Sequence, residues 1–352
     1  MKLSKTDLLL FSFIILGTIL RCIQLGFQDV NLDEQFTIMW ARPGLSAVQL
    51  IINSLTIDFT PPLYYLAAHF SMLVFGATAI AIRIPSMIAG ILFIPVMYYI
   101  GKKYRDDWFG LLLAGFTTVF YSFLYYSRYG RSYAMAILFF TLAFYFLLRI
   151  RNGDYTRASL WFGVFALLSV WTHLYTAIPL GIMILYLLVI ERKAYSGIAL
   201  FIIGSLPLLN YLFIIRDTRV AWIANQTFGL TQTQVLTHTP VYLFNYSVVI
   251  VVPILIWAIW KYRADRIIQL ITILSLVTWA SMYVLAKETP IIGHYAIWCV
   301  PLLLIPLLLP FYDAYKEKGW DMPFTYIILG LFILITEFIQ IGFLYTAQRL
   351  AL

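Results

Sequence analysis

The chain has 352 residues, of which 62% are hydrophobic and 11% charged, with a mean hydropathy of +0.88. Apolar runs of about 18 residues or more recur along its whole length, which excludes a soluble domain with a large core and signals membrane-spanning helices. The net charge of +8 lies in short loops between these runs, so it is no nucleic-acid footprint, and period-two alternation that would suggest a barrel is absent.

The pattern predicts an all-α integral membrane protein with about eleven transmembrane helices. The first span is expected at about 8–27, after Lys2 and Lys5. No small-residue cleavage site follows it, so it reads as a retained anchor. The next spans are expected at about 84–101, 108–126, 133–148, 158–172, 175–190, 196–214, 241–260, 267–286, 293–311 and 323–345. The connections GKKYRDD, RIRNGDYTR, ERK, KYRADR and DAYKEKGWD, with Lys2 and Lys5, hold 15 of the 24 basic residues. With eleven alternating spans they share one face, which the positive-inside rule makes cytoplasmic. The N-terminus is then cytoplasmic and the C-terminus outside, as for a multi-pass protein of the plasma membrane.

The stretch from Pro61 to Gly76 is apolar but short, and it opens with two prolines. A crossing there would turn every lysine-rich connection outward, so the stretch is expected to lie as a helix at the outer surface. Residues 28–83 then form one long outer loop carrying interfacial helices, and residues 215–240 form a second. A loop of that length is a natural place for a site. No repeat or soluble C-terminal domain is visible, so residues 1–352 read as one membrane domain. Cys22 and Cys299 fit no metal or redox spacing and read as small apolar packers.

Arginines on the outer face are disfavoured and a carboxylate at membrane depth is costly, so those that persist call for a reason. Asp33 and Glu34 are adjacent and cannot share a helix face. One is expected to point at a substrate while the other caps a helix or pairs with an arginine. Asp58 precedes Phe59-Thr60-Pro61-Pro62 and reads either as a site residue or as a cap for the helix beginning at the prolines. Arg128 and Arg131 in YSRYGRSYA are three apart, so a helical turn would set two guanidinium forks side by side, suited to a phosphate. Arg216, Asp217, Arg219, Lys287 and Glu288 fall on the same face. His173 and His294 divide between a site role and a satisfied interfacial group, whereas His69 and His238 read as structural. Arg42 reads as a snorkelling side chain, and Glu337 as a partnered packing residue. Asn225-Gln226-Thr227 matches a glycosylation acceptor, a motif short enough to arise by chance.

The order Asp33-Glu34, Asp58-x-x-Pro61-Pro62-Leu63-Tyr64-Tyr65, Phe75-Gly76, Arg83-Ile84-Pro85-Ser86 and YSRYGRSYA resembles the polytopic C-type glycosyltransferases of the protein O-mannosyltransferase and aminoarabinose-transferase kind (glycosyltransferase family 39-like). The resemblance covers roughly residues 1–190; beyond that it is hydropathy, plus Gly293-His294-Tyr295 before Pro301. It implies transfer of a sugar from a polyprenyl-phosphate carrier to a protein, lipid or glycan acceptor on the outer face, with no nucleic-acid partner. By the resemblance Asp33 is the general base, with Glu34 and Asp58 beside it as catalytic candidates. Arg131 and Tyr133 fall near the lipid phosphate, and Arg83 and Arg128 join them as donor-phosphate candidates. Tyr64, Tyr65, His173, His294 and Tyr295 are candidate substrate-binding residues. Three departures stand out: Thr60 replaces a histidine, Tyr129-Gly130-Arg131-Ser132 replaces the commoner Glu-Ala-Arg-Pro, and His294 stands where an arginine is usual.

Transfer from a sugar phosphate develops negative charge on the departing phosphate, which arginines stabilise where it forms. A carboxylate on the other face of the sugar takes the acceptor's proton in one inverting displacement, and an ordinary aspartate is already ionised at neutral pH. No cofactor is required. A divalent ion on Asp33, Glu34, Asp58 and a histidine is chemically compatible, but the spacing follows no ligand pattern and no tightly bound metal is expected. The rival reading is a transporter or lipid-linked sugar flippase, for which broken mid-membrane helices and paired repeats would be expected. A third is a structural assembly subunit, for which the acidic pair would tolerate alanine.

Overall fold

The computed structural model describes residues 4–56, 60–192, 194–223, 230–286, 293–319 and 324–346. Among the described residues the regular structure is all helical, with no strand. In chain order the helices are α1 (Lys5–Cys22), α2 (Leu32–Ala41), α3 (Ala47–Thr56), α4 (Pro62–Phe75), α5 (Ala79–Tyr104), α6 (Asp107–Val119), α7 (Tyr121–Ser127) and α8 (Tyr133–Arg151). They continue as α9 (Thr156–Thr172), α10 (Ala177–Tyr186), α11 (Tyr195–Ile223), α12 (Gln232–Phe244), α13 (Val248–Lys261), α14 (Arg266–Leu285), α15 (Val300–Lys318) and α16 (Phe324–Thr346). Short 3-10 turns lie at Leu174–Thr176, Asn245–Ser247 and Gly293–Cys299.

The described residues leave the expected count of eleven spans unconfirmed. Among the described residues six helices are long and apolar enough to cross a bilayer, or up to eight if each of two bent pairs, α6 with α7 and α12 with α13, makes one span. The expected spans at 8–27, 158–172 and 196–214 fall on α1, α9 and α11. α1 carries Lys5, Asp7 and Arg21, α9 has 17 residues, and the apolar part of α11 ends at Leu209. The expected span 241–260 is broken at Asn245–Ser247, and the expected loop 215–240 is helical at both ends, through Ile223 and from Gln232.

The long first loop is itself built of helices. α2 and α3 have 10 residues each and α4 has 14. At about 1.5 Å per residue α4 reaches about 21 Å, short of the roughly 30 Å hydrocarbon core. Its start follows from Pro61 and Pro62, whose fixed φ suits a first turn.

The chain divides into two compact units, one of residues 1–17, 94–123 and 229–346, the other of residues 18–93, 124–228 and 347–352. In the first unit Leu10, Phe13 and Ile14 pack against buried Ile94, Tyr98, Leu111 and Ala114. α15 is buried along most of its length and packs on α6, α13 and α14. Glu337 on α16 is partnered as expected: its carboxylate accepts the Tyr121 N–H at the start of α7 at 2.6 Å and the Ser247 hydroxyl at 3.2 Å. A carboxylate at a helix N-terminus faces unsatisfied N–H groups and the positive end of the dipole.

In the second unit α9 packs against α8 and α11. The approach to α11 is close because Gly163 and Gly197 face each other: a Cβ on Gly163 would lie 2.2 Å from the Gly197 carbonyl oxygen. Ser159 accepts the Gly197 N–H at 3.0 Å, joining the two backbones where small residues let them meet. α2, α3 and α4 pack on one another. His69 on α4 bonds through Nδ1 to the Ala41 carbonyl oxygen at 3.0 Å, closing the C-terminal end of α2, which is the structural use expected of it.

Candidate active site

The site is built from the N-terminus of α2 outward. Asn31 is the N-cap: its Oδ1 accepts the Glu34 N–H at 3.0 Å, while Glu34 Oε2 accepts the Asn31 N–H at 3.4 Å. This capping box closes two orphan donors of the first turn and fixes the Glu34 side chain.

Glu34 is fully buried and paired with the equally buried Arg83 of α5. Arg83 donates from Nε to Glu34 Oε1 at 2.8 Å and from Nη2 to Oε2 at 2.7 Å. Its remaining N–H groups bond the carbonyl oxygens of Leu25, Gln28 and Asp29 at 2.9, 2.9 and 3.1 Å. All five donors of the guanidinium are thereby engaged. Glu34 Oε1 also accepts the Gly130 N–H at 2.7 Å, and Thr37 donates its hydroxyl to the Gly130 carbonyl at 2.8 Å. The turn at Gly130 is thus docked on α2. The two expectations for these residues are therefore corrected: Glu34 is the member of the acidic pair that caps and pairs, and Arg83 holds Glu34 and the loop after α1, with no N–H left for a phosphate.

Arg128 is likewise redirected. It is fully buried, and its Nη1 reaches the carbonyl oxygens of Leu20, Arg21 and Ile23 at 3.3, 3.2 and 2.5 Å. Its Nη2 reaches the Gln24 carbonyl at 3.0 Å and Gln28 Oε1 at 3.3 Å. A guanidinium set among the last carbonyls of α1 satisfies orphan acceptors and meets the negative end of the helix dipole. The expected pairing of Arg128 with Arg131 fails because α7 ends at Ser127 and α8 begins at Tyr133, so no helical turn stacks the two.

Asp33 follows one residue before Glu34, about 100° around α2, and is half-buried. The Tyr129 hydroxyl donates to Asp33 Oδ2 at 3.2 Å and stands 3.4 Å from Asn31 Oδ1. Burial first, and then the Asp33 charge, push the Tyr129 phenol well above its ordinary pKa, so Tyr129 is a neutral donor.

Arg131, two residues further, is half-buried and donates from Nη1 to the Tyr65 hydroxyl at 3.2 Å and from Nη2 to Thr60 Oγ1 at 3.4 Å. Its carbonyl accepts the Ser86 hydroxyl at 2.9 Å, and Ser86 in turn bonds Tyr64 at 2.9 Å. Two hydroxyls, of Tyr65 and Thr60, accept from the Arg131 fork. Tyr65 acts there by holding Arg131. Tyr64 is corrected as a substrate contact: it is fully buried and its hydroxyl bonds the Ile82 carbonyl at 2.7 Å as well as Ser86. Burial pushes its phenol upward too.

Tyr125, Tyr129 and Tyr133 form an aromatic column, with ring centroids 5.6 Å and 6.2 Å apart and interplanar angles of 28° and 17°. Tyr133 is buried at the start of α8, and the His173 ring lies 5.6 Å from it. His173 ends α9, and its Nδ1 accepts the Tyr175 N–H at 3.3 Å. The structure therefore brings Asp33, Tyr129, Arg131, Tyr133, Tyr65 and His173 into one unit. His294 and Tyr295 belong to the other unit, on the Gly293–Cys299 turn, where buried His294 packs edge-on against Tyr295 with centroids 5.7 Å apart. Asp58, Asn225, Lys287 and Glu288 lie outside the described residues, as do the side chains of Arg216, Asp217 and Arg219. Arg42 is exposed at the end of α2. Among the described residues no group of three or more His, Cys, Asp or Glu side chains could hold a metal.

Sequence reasoning passed over Tyr129, Gly130 and Asn31 as working parts. Asn31-x-x-Glu34 was available as a capping-box signature. The reach of Tyr129 to Asp33 joins residues 96 apart and has no local signal.

Residues 60–211 match the family described as dolichyl-phosphate-mannose-protein mannosyltransferase. No curated protein sequence matches the chain. In three dimensions the chain is similar to ArnT from Cupriavidus metallidurans bound to undecaprenyl phosphate, with a TM-score of 0.61 and 15% identity over 95% of this chain and 64% of that one. The apo form of the same ArnT gives 0.60 and 14% over 86% of this chain and 58% of that one. The Archaeoglobus fulgidus oligosaccharyltransferase tethered with an acceptor peptide containing the NVT sequon gives 0.56 and 11% over 99% and 56%. The chain spans between half and two thirds of the length of these proteins. The likeness gives it the fold expected from the resemblance: an all-α, multi-pass integral membrane protein with the C-type glycosyltransferase architecture.

Proposed function

We propose that the chain transfers a sugar from a polyprenyl-phosphate carrier to an acceptor hydroxyl by a single inverting displacement, with Asp33 as general base. The observation that carries this reading is the division of labour in the acidic pair. Glu34 is locked to Arg83, while Asp33 on the adjoining helix position remains half-buried and bonded to a neutral phenol. Arg131 is the cation for the carrier phosphate, with Tyr65 and Thr60 accepting from its guanidinium. The match over residues 60–211 to a mannosyltransferase family that uses a dolichyl-phosphate sugar supports the donor class, as does the likeness to an ArnT that binds undecaprenyl phosphate.

In this mechanism the acceptor oxygen attacks the anomeric carbon as its proton passes to Asp33. The bond from that carbon to the phosphate oxygen breaks, and its electron pair leaves with the lipid phosphate beside Arg131. A fixed cation where negative charge develops lowers the barrier without reorganisation. With eleven alternating spans the lysine-rich connections share the inner face, so the site opens on the outer face of the plasma membrane and the N-terminus is cytoplasmic.

The test is incubation of the full chain in proteoliposomes with radiolabelled undecaprenyl-phosphate-linked mannose, glucose, galactose and aminoarabinose. Consumption of one donor by wild type and none by Asp33→Asn, at unchanged melting temperature, is the expected result. Turnover retained by Asp33→Asn removes Asp33 from the chemistry, and consumption of no donor overturns the transferase reading.

A further inference from the structure

The Tyr129 hydroxyl has one hydrogen and two acceptors within reach, Asp33 Oδ2 at 3.2 Å and Asn31 Oδ1 at 3.4 Å. Neither acceptor is free to wander. Asn31 Oδ1 is oriented by the Glu34 N–H at 3.0 Å, and Asp33 is carried on the first turn of the same helix. The Tyr129 ring is 1% exposed and stacked between Tyr125 and Tyr133, so the ring stays in place while the hydroxyl hydrogen can still rotate. We infer that Tyr129 is a positioning residue for the Asp33 carboxylate, donating to it while it is ionised and accepting from it once it is protonated, with Asn31 Oδ1 taking the phenolic hydrogen in the second state. The inference rests on Asp33 as the base.

The resting state follows from acceptor strength. An ionised carboxylate draws a hydroxyl hydrogen more strongly than a carboxamide does, so the phenol points at Asp33. That bond selects one rotamer of Asp33 and keeps the other carboxylate oxygen for the acceptor. During transfer the acceptor O–H bond breaks, the new bond to the anomeric carbon forms, the carbon–phosphate oxygen bond breaks, and the proton comes to rest on Asp33. Asp33 is then a donor. A phenol locked with its hydrogen facing it would oppose that state. Rotation to Asn31 Oδ1 turns a phenolic lone pair to the new acid, and both protonation states keep a partner. The neutrality of Tyr129, enforced by burial, is what lets the phenol play both parts.

The experiment uses the full chain in proteoliposomes and whichever labelled undecaprenyl-phosphate sugar wild type consumes. Tyr129→Phe keeps the stacked ring and removes the hydroxyl. Its kcat is expected to fall at least about tenfold, the loss of one hydrogen bond on the reaction coordinate, with donor KM and melting temperature held. Asn31→Ser keeps a cap oxygen but withdraws the second acceptor, and a smaller fall in kcat at constant donor KM is expected. Unchanged kcat in Tyr129→Phe overturns the inference, and so does a fall matched by an equal loss of melting temperature, which marks a packing role. Unchanged kcat in Asn31→Ser overturns the handover. Asp33→Asn is run in parallel: if it is inactive while Tyr129→Phe is unaffected, the inference fails and the function stands; if it is active, the function fails first.

Discussion

Arg83 Nη2 lies 2.7 Å from Glu34 Oε2, and neither side chain has any solvent exposure. The pair is also the anchor of two chain segments, since Arg83 gathers the carbonyls of residues 25, 28 and 29 and Glu34 receives the Gly130 amide. Removing one partner leaves a buried charge without its counter-ion, which typically costs about 3–5 kcal/mol. Arg83→Met and Glu34→Leu are therefore each expected to lower yield and melting temperature sharply. The double variant should recover part of that loss. Thermal unfolding in detergent of the three variants checks this, and activity is expected to be lost wherever the fold is lost.

Arg128 and Arg131 lie three positions apart and differ in function. Arg128→Ala should strip the last carbonyls of α1 of their donors and destabilise the protein by an amount of the same order as other buried charged hydrogen bonds, about 1.5–3 kcal/mol. Arg131→Ala should leave the melting temperature nearly unchanged and weaken binding of undecaprenyl phosphate about tenfold or more. Equilibrium binding of undecaprenyl phosphate, measured beside a melting curve for each variant, separates the two roles. Equal loss of binding at equal stability in both would put Arg128 back at the phosphate.

The contrast shows what the sequence made legible. The acidic pair was readable because its geometry is local: adjacent helical residues face apart, so one carboxylate was free to pair with an arginine while the other pointed away. The short apolar stretch at Pro61 was readable because its length and two prolines set both its start and its reach. Arg128 was not, because the i to i+3 rule needs a continuous helix and the chain turns between Ser127 and Tyr133. Its destination, the C-terminal end of α1, lies more than a hundred residues earlier. Tyr64 and Tyr65 are sequence neighbours with opposite uses, one bonded to Ser86 and Ile82 and one to Arg131, and no residue pattern distinguishes them. The two bends within expected spans were not legible for a related reason: hydropathy reads composition, whereas the breaks after Val119 and Phe244 are set by the turns that follow.

Gly130 offers a test of the docked turn. A Cβ there would lie 2.8 and 2.9 Å from the Ile82 side chain and 3.0 Å from Glu34 Oε1. Ile82 is fully buried and Glu34 is held by Arg83, so neither neighbour yields easily. Gly130→Ala is expected to cost about 1–3 kcal/mol, as overpacking in a close-packed interior does. It should also displace Arg131 and Tyr129, which flank it. Melting temperature and undecaprenyl phosphate affinity should therefore fall together in this variant, unlike in Arg131→Ala, where only affinity falls.

The two buried phenols predict how the protein responds to base. Burial raises the pKa of both Tyr64 and Tyr129 above the ordinary tyrosine value of about 10. In the unfolded chain they ionise near that ordinary value, so above it the folded state binds more protons than the unfolded one. Stability then falls as pH rises, and the contribution present below about pH 10 is progressively lost above it. Alkaline unfolding of wild type is expected to set in as pH passes that region. Tyr64→Phe and Tyr129→Phe should each flatten the decline by removing one group that must stay protonated to remain folded. Melting curves between pH 8 and about 11.5, chosen to bracket the ordinary tyrosine pKa, measure the slope. Slopes identical to wild type in both variants would mean that these phenols are already reached by water in the folded protein, which would contradict their burial beside Ser86 and Asp33.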